Sequence, residues 1–596
     1  MWWTFFLISV GCLVLPAAIL LAIKSSKWGN KRKIGVLNAL LAGVFAANIF
    51  VFLPTHIVTA EPTFWGTWRA FLLSVFHSMQ VFTIGCEFSA VKEGMAFCPD
   101  MLDTWFQVWA ATLFVLAPIL TFGFVLSLFK NLSAYVKYLR SYFKEAYIFS
   151  QLNEQSLVLA EDIRQKHKKA AIVFTDVYDD NQEGTCELME QAKNLGAICF
   201  KKDITVVHFQ KHSRRKPLWF FTISTNETEN LNHALKLIEK YNTRCDTHLY
   251  VFSTQVDSEL LLTSVEKGQV KVRRVNEVQS LVNRLLYDRG SLLFESARQN
   301  PDGTKKISAV VVGMGSHGTE LVKALTWYGQ MNGYRLEIHG FDKDPLAEEK
   351  FIALAPELMS PQYNGVTVEG EAQYHITIHS GVDVTTVSFA KEIEKLSDAT
   401  YVIVALGNDD SNITTAVKLR MYFERMKIHP IIQAIVYNTQ QKKALEGICN
   451  YRGQAYDIQF IGDMESSYAE AVIIDSELEE DALRRHMKWG KEEEFWNFEY
   501  NYRSSMASAI HMKARIACKI PGAEKKEEEL TPEERDIIEV LEHRRWNAYM
   551  RAEGYVFSGS KDKSSRNDLA KMHHDLVDFS SLSEEEKRKD SKVGTQ

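Results

Sequence analysis

One glycine-rich turn carries the most specific chemistry in the sequence. It follows an apolar, valine-rich strand pattern at 308–312 and precedes a helical pattern at 320–328. In a strand–turn–helix unit, the first glycine permits a tight turn, the second lets the backbone approach a pyrophosphate, and the third lets the helix pack on the strand. The start of the helix offers free N–H groups to phosphate. The residues of this predicted phosphate loop are Gly313, Gly315, Ser316, His317 and Gly318.

Two further groups follow strands that should end at the same edge of a parallel sheet. Asp342 comes after the strand pattern at 335–340, about where an acid would hold a ribose hydroxyl. Gly407, Asn408 and Asp409 follow the next buried strand. We expect an adenine nucleotide here (NAD, ATP or a related molecule), and an empty cleft is the alternative. No His, Lys or Tyr constellation downstream supports hydride transfer.

A helix near the end of the sequence presents an acid, an arginine and two aromatic residues on one face. They lie at positions i, i+3, i+4 and i+7. An arginine fork can bind phosphate while an aromatic plane stacks on a base. The predicted ligand residues of this region are Glu542, Arg545, Trp546, Tyr549, Tyr555 and His574. The alternative is that the aromatics are core residues and the arginine pairs with the acid. The His573–His574 pair lacks a third ligand at a fixed spacing, so no metal is expected.

The last candidate group closes the apolar segment 64–88. Its residues are Thr83, Ile84, Gly85, Cys86 and Glu87. They are similar to the filter of potassium channels, whose backbone carbonyls replace the hydration shell of the ion. Cys86 stands where that filter has an aromatic residue, and the second glycine is absent. A potassium filter, a less selective pore and a helical packing segment all remain open.

The N-terminal quarter is predicted to lie in a membrane. Apolar runs at 4–23, 34–54 and 105–129 are long enough to cross a hydrocarbon core. Lysine and arginine follow the first and third runs, which places those ends in the cytoplasm and the N-terminus outside. The segment 64–88 contains Arg69, His77, Gln80 and Glu87, so we expect it to be re-entrant or to lie at the outer interface.

The remaining residues alternate between short apolar strands and amphipathic helices, which predicts parallel α/β sheets. The first five strand patterns lie at 146–150, 171–174, 197–200, 218–223 and 248–252. The first turn of that sheet reads Ser-Gln-Leu-Asn-Glu and lacks glycine, which argues against a nucleotide there. We therefore predict a helical transmembrane domain plus α/β: two tandem Rossmann-like domains and a small, mostly helical C-terminal domain. The predicted boundaries are 1–130, 131–300, 301–475 and 476–596.

Two regions resemble known families. Residues 146–465 resemble tandem domains that regulate potassium conductance, also called TrkA-N domains, which implies nucleotide or ion binding, pairing, and transmission to a pore. Residues 495–596 resemble the ryanodine-receptor repeat domain, with its acid–Arg–Trp helix, glycine–aromatic turn, His-Asp-Leu segment and final helix ending in Lys-x-x-Asp. Bacterial versions of that domain imply recognition of nucleotide signals in antiviral defence.

Together these features predict a ligand-gated effector in a bacterial inner membrane, acting in antiphage defence, with its C-terminal domains in the cytoplasm. The expected partners are membrane lipid, a small nucleotide signal and further copies of the chain, as a tetramer or a dimer. The net charge of -6 argues against nucleic acid. The alternatives are a housekeeping nucleotide-regulated potassium channel or transport protein, a structural anchor, or a membrane-tethered nucleotide-processing enzyme. The acids available to such an enzyme are Asp409, Asp410 and Asp463, without a nucleophile or metal cluster.

Overall fold

The computed structural model describes residues 1–24, 30–128, 132–177, 183–209, 216–365, 374–446, 450–451, 454–455, 457–474 and 476–595. The chain forms two compact units, Met1–Arg140 and Ser141–Gln596. The regions on either side of the predicted boundaries at 300 and 475 therefore belong to one compact unit.

The first unit is helical. Its helices are α1 (Trp2–Lys24), α2 (Asn30–Thr59), α3 (Phe64–Phe82), α4 (Ser89–Lys92), α5 (Asp100–Leu128) and α6 (Leu132–Arg140). Among the described residues, two stretches are long and apolar enough to cross a membrane, Leu40–Thr59 in α2 and Asp100–Phe122 in α5. The described apolar part of α1, Trp2–Val14, is shorter.

The C-terminal half of α3 packs against α2, and the chain then folds back. The rings of Phe45 and Phe82 are 5.9 Å apart, and His77 Nδ1 lies 2.9 Å from His56 Nε2. After α3 the chain returns to Thr55, where a Cβ on Gly94 would lie 2.3 Å from the threonine Cβ. The predicted segment 64–88 is therefore a helix followed by a returning loop.

The second unit begins with a six-stranded parallel sheet of order β3-β2-β1-β4-β5-β6. Its strands are β1 (Ala146–Phe149), β2 (Ala171–Phe174), β3 (Ile198–Cys199), β4 (Leu218–Thr222), β5 (Thr247–Phe252) and β6 (Val270–Val275). The connecting helices are α7 (Glu154–Lys166), α8 (Glu183–Asn194), α9 (Glu227–Tyr241) and α10 (Val256–Ser264), and α11 (Glu277–Arg289) and α12 (Ser291–Glu295) follow. The five predicted strands are confirmed.

The second sheet repeats this topology, with strand order β10-β9-β8-β11-β12-β15 and β7 antiparallel at β8. Its strands are β7 (Arg298–Gln299), β8 (Lys305–Val312), β9 (Tyr334–Phe341), β10 (Tyr374–His379), β11 (Tyr401–Val404), β12 (Ile431–Ile435), the short pair β13 (Asn450–Tyr451) and β14 (Gln454–Ala455), and β15 (Ile458–Ile461). Its helices are α13 (Ser316–Tyr328), α14 (Ala347–Leu354), α15 (Val387–Lys395), α16 (Asp409–Arg425), α17 (Thr439–Glu446), α18 (Met464–Ser467) and α19 (Glu470–Ile473). The chain thus contains the two tandem parallel-sheet domains that its sequence predicts.

The last region is mostly helical and shares the core of the second sheet. Its elements are α20 (Glu477–His486), α21 (Glu492–Asn497), α22 (Glu499–Ala517), α23 (Pro532–Ala552), β16 (Val556–Phe557), β17 (Met572–His573) and α24 (Glu584–Gly594). We call it the C-terminal module. Tyr549 of α23 packs edge-to-face on Trp327 of α13, with ring centroids 6.1 Å apart. This contact joins the module directly to the helix that follows the glycine loop.

Candidate functional site

The glycine loop adopts the geometry that its sequence predicts. Gly313 has φ +96°, and a Cβ there would lie 2.5 Å from the carbonyl oxygen of Ala405. A Cβ on Gly318 would lie 1.6 Å from the carbonyl oxygen of Gly313. Nothing lies within 4 Å of the Cβ position of Gly315, so its backbone faces open space. The first and third glycines are thus required by packing, and the second leaves room for a ligand.

Asp342 braces this loop. Its Oδ2 accepts a hydrogen bond from the backbone N–H of Met314 at 2.6 Å, and its Oδ1 accepts one from the N–H of Asp344 at 2.8 Å. Asp342 lines a cleft of about 560 Å³ together with Gly315 and Ser316. The predicted ribose acid therefore lies beside the predicted phosphate loop.

The residues at the end of β11 have structural partners instead. Asn408 caps α16 by accepting the N–H of Ser411 at 2.9 Å. Asp409 accepts the backbone N–H groups of Tyr437 and Asn438 at 3.0 and 2.8 Å. Neither these residues nor Gly407, at φ +87°, is among the described residues that line the cleft.

His317 faces away from this cleft. Its Nε2 lies 2.7 Å from the hydroxyl of Tyr437, and both residues line a separate cavity of about 240 Å³. Burial lowers the pKa of His317. Its ring therefore stays neutral at pH 7, as a neighbour of the loop rather than a ligand of the cleft.

The first turn of the first sheet is closed by a side-chain cap. The side chain of Asn153 accepts the N–H of Ser156 at 2.8 Å, and Ser156 Oγ accepts the N–H of Asn153 at 3.0 Å. This capping box occupies the helix N–H groups that a phosphate would need. The buried ring of Tyr468, from the segment after the second sheet, stacks on Phe252 at the carboxyl end of β5. The sequence did not indicate that Tyr468 would cover this edge.

The C-terminal module contains a cavity of about 420 Å³ between α22, α23 and the segment 563–593. Four of the six residues predicted to bind a ligand line it: Glu542, Arg545, Trp546 and His574. Tyr549 packs on Trp327 instead, and Tyr555 lies against Tyr500 with ring centroids 5.9 Å apart. Sequence reasoning missed Arg485 and Tyr500, which line the same cavity from α20 and α22.

The base of this cavity holds more positive than negative charge. Glu542 contacts both Arg515 and Arg545, the latter at 2.8 Å. Burial disfavours the carboxylate, but the two guanidinium groups outweigh burial and lower the pKa of Glu542 to about 2. Burial, reinforced by the neighbouring Arg515 and Arg545, lowers the pKa of Arg485 to about 9. Arg515 and Arg545 therefore pair with one buried carboxylate, while the guanidinium of Arg485 lies nearby and donates to the backbone carbonyls of Val593 and Thr595.

Two polar groups in the cavity lack hydrogen-bond partners. Arg545 is 1% exposed, and its Nε and Nη1 are buried without an acceptor. His574 Nδ1 is likewise buried without a hydrogen-bond partner. A buried donor without a partner costs about 1–3 kcal/mol, so such groups are rare unless a ligand completes them.

Aromatic rings and surface charges form the rest of the cavity. Trp546 packs edge-to-face on His573, with centroids 4.9 Å apart, and Tyr500 lies under the guanidinium of Arg566. On the rim, Lys563 and Lys589 both contact Glu586. The cavity therefore combines buried N–H donors with flat apolar surfaces, as a phosphorylated ring compound requires.

A metal does not fit the histidine pair. His573, His574 and Asp575 bring possible ligand atoms within 4.8 Å of one another. However, the two imidazole rings are stacked with an interplanar angle of 10°, and an ion lies in the plane of each imidazole that binds it. His573 Nδ1 already accepts the N–H of Asp575 at 3.1 Å.

The five predicted pore residues lie in the loop after α3. Ile84 has φ +60° and is 80% exposed, and Thr83, Gly85 and Glu87 are also exposed. Cys86 is half-buried.

The acids of the alternative enzyme reading are held in structural contacts. Asp463 caps α18 and pairs with Lys442, while Asp409 caps the loop after β12.

No protein-family model matches this chain, and no curated protein matches it.

Proposed function

We propose that this chain is a ligand-gated membrane effector that senses a nucleotide-derived anion in its C-terminal module. One observation carries the proposal: Arg545 is fully buried at the base of a cavity with Nε and Nη1 unpaired. Phosphate is the acceptor that best suits a guanidinium edge, and the adjoining indole of Trp546 suits a base. The resemblance to the ryanodine-receptor repeat points to the same class of ligand.

The first unit would supply the membrane part. The apolar stretches in α2 and α5 support two crossings, and α1 would provide the third, with the N-terminus outside. The helix and returning loop at 64–99 would form the pore hairpin, with the Thr83–Glu87 backbone at its turn; the return of the chain to Thr55 at Gly94 supports this. Three crossings do not enclose a channel alone, so we propose a tetramer or dimer in a bacterial inner membrane, acting in antiphage defence.

Ion flux and ligand binding test the two halves of this proposal separately. Purified protein in liposomes is assayed for potassium flux with 3′,5′-cyclic AMP, cyclic di-AMP, ATP and NAD. The same nucleotides are titrated calorimetrically against Arg545→Met and against Arg588→Met, which removes an exposed arginine of the same module. We expect one nucleotide to induce potassium flux through the wild type and Arg588→Met. The same nucleotide should bind Arg545→Met at least tenfold more weakly than the wild type. Absence of flux with every nucleotide would reject the channel, and unchanged binding by Arg545→Met would reject the cavity.

A housekeeping nucleotide-regulated potassium channel is the second candidate, favoured by the intact glycine loop and its open cleft. In that case ATP or NAD alone would control flux, and Arg545→Met would behave as the wild type.

A further inference from the structure

The cleft beside the glycine loop is not closed by the second sheet domain alone. Gly315, Ser316 and Asp342 form one wall, Arg274 of the first sheet forms another, and Lys571 belongs to the C-terminal module. Three parts of the chain therefore enclose a single volume of about 560 Å³.

The start of helix α13 leaves open space beside Gly315, with no atom of the described residues within 4 Å of its Cβ position. Helix α13 begins after Gly315 without a side-chain cap, whereas Asn226, Asn276 and Thr531 cap other helices of the chain. The free N–H groups and the positive end of the helix dipole thus face the open space beside Gly315.

Lys571 is a cation of this cleft that forms no direct ion pair with a described carboxylate. Lys323 and Arg503 both pair with Glu553, but no described carboxylate forms an ion pair with Lys571. Its ammonium donates one hydrogen bond, to the backbone carbonyl of Glu553 at 2.7 Å. Burial lowers the pKa of Lys571 against the opposing charge of Glu553, so a bound anion would favour the charged ammonium.

The backbone at this lysine is also unusual. Lys571 has φ +51°, a conformation that non-glycine residues adopt only at a cost. The neighbouring Gly554 has φ +82°, and a Cβ there would lie 2.8 Å from the carbonyl oxygen of Leu354 at the end of α14. The module thus meets the second sheet domain closely at the place where Lys571 enters the cleft.

We propose that Lys571 binds a phosphate of a nucleotide held by the glycine loop, so that one ligand contacts both the sheet domain and the C-terminal module. The ligand class is a nucleotide with a pyrophosphate: the helix start binds one phosphate, Asp342 holds the ribose, and the ammonium of Lys571 binds the outer phosphate. This nucleotide fastens the module to the sheet domain and sets the resting state on which the signal in the other cavity acts. The inference goes beyond the proposed function, because it concerns the glycine-loop cleft and not the cavity at Arg545.

ATP and NAD binding to the full chain in detergent test this assignment. We expect Lys571→Gln to weaken at least one of them about ten- to hundredfold, as loss of one charge-assisted hydrogen bond implies. Lys571→Arg should stay within a few-fold of wild type, and Lys561→Gln, at an exposed lysine of the same module, should not change. Hydrogen exchange of the wild type should show that the nucleotide slows exchange in residues 556–573.

Each other outcome overturns the proposal. If Lys571→Gln and the wild type bind ATP and NAD with equal affinity, Lys571 does not contact the nucleotide. If neither nucleotide binds the wild type, the glycine-loop cleft is not a nucleotide site. The Arg545→Met experiment still tests independently whether the cavity at Arg545, which we call the signal cavity, binds a ligand. If Lys571→Gln does not fold, hydrogen exchange of the wild type provides the test. Exchange in residues 556–573 that does not change when the nucleotide binds would overturn the proposal.

Discussion

Replacing Glu542 by glutamine tests the charge balance at the base of the signal cavity. Its carboxylate is buried against Arg515 and Arg545, and they lower its pKa from the usual 4.5 to about 2. At about 1.4 kcal/mol per pKa unit, this corresponds to roughly 3 kcal/mol. Removing one member of a buried ion cluster costs about 3–5 kcal/mol, because the remaining charges stay buried without compensation. We expect Glu542→Gln to lower the free energy of unfolding of the C-terminal module by that amount.

Urea denaturation followed by tryptophan fluorescence measures this loss, because Trp489 and Trp546 line the cavity. With a urea dependence of about 1–3 kcal/mol per molar, the midpoint should fall by about 1 M or more. Glu539→Gln is the matched control on the same helix: burial raises the pKa of Glu539, so neutralising it should cost little.

The acid dependence of this stability has a fixed sign. The folded pKa of Glu542 lies below its unfolded value, so its contribution is complete above pH 4.5 and is lost as the pH falls toward 2. The difference between wild type and Glu542→Gln should therefore shrink over that range. Equal midpoints at pH 7 would refute the charge cluster as described.

Three further outcomes follow from the second unit. Gly315→Ala should keep the thermal stability of the wild type, because its Cβ meets open space, but should weaken ATP or NAD binding in calorimetry, because that Cβ occupies space left for the ligand. Gly318→Ala should lower both stability and binding, because its Cβ would lie 1.6 Å from a carbonyl oxygen. Tyr468→Ala removes a buried ring over the first sheet and should cost about 3–5 kcal/mol in urea denaturation. Burial opposes the charge on His167, but the carboxylate of Glu470, helped by a second glutamate, raises its pKa. Its stabilisation is therefore complete below pH 6.5 and is lost as the pH rises through the folded pKa, and His167→Gln should remove that pH dependence.

Strands with continuous apolar sequence were predictable, and two strands with mixed sequence, β6 and β10, were not, although the mixed strand β9 was predicted at 335–340. β1 and β8 read as buried runs flanked by turn signals, and both lie where the sequence places them. β6 carries Lys271, Arg273 and Arg274, and the two arginines pair with Glu479 and Glu499 of the distant C-terminal module. No local pattern contains that information. The strand β10 is missed for a similar reason, since histidine and threonine alternate with its apolar residues.

The same distinction holds for the candidate sites. The glycine loop follows from local geometry, because the turn requires the first glycine, the helix packing requires the third, and the second leaves the backbone open to a ligand. The pattern of one helix face correctly predicted that Arg545 and Trp546 line a cavity. It also predicted Tyr549, which instead packs on Trp327 of the adjacent sheet domain. Arg485 comes from another helix, some 60 residues earlier in the sequence, and nothing in its surroundings there marks it as a ligand.

The signal cavity and the glycine-loop cleft are both lined by residues at helices α22 and α23. On α22, Ser504 lines the signal cavity, while the preceding Arg503 pairs with Glu553 and, at 3.3 Å, with Glu259 of the first sheet domain. On α23, Arg545 lies at the signal cavity, and Glu553 immediately follows the helix at the glycine-loop cleft. A displacement of either helix by a ligand therefore changes contacts in both cavities and at the first sheet domain. A signal shifts the equilibrium only to the extent that it binds one arrangement of these helices more tightly than the other. Under the proposed function, Arg515 and Arg545, which contact Glu542, and the nearby Arg485 would supply that difference, because an added anion would stabilise the arrangement that keeps them together.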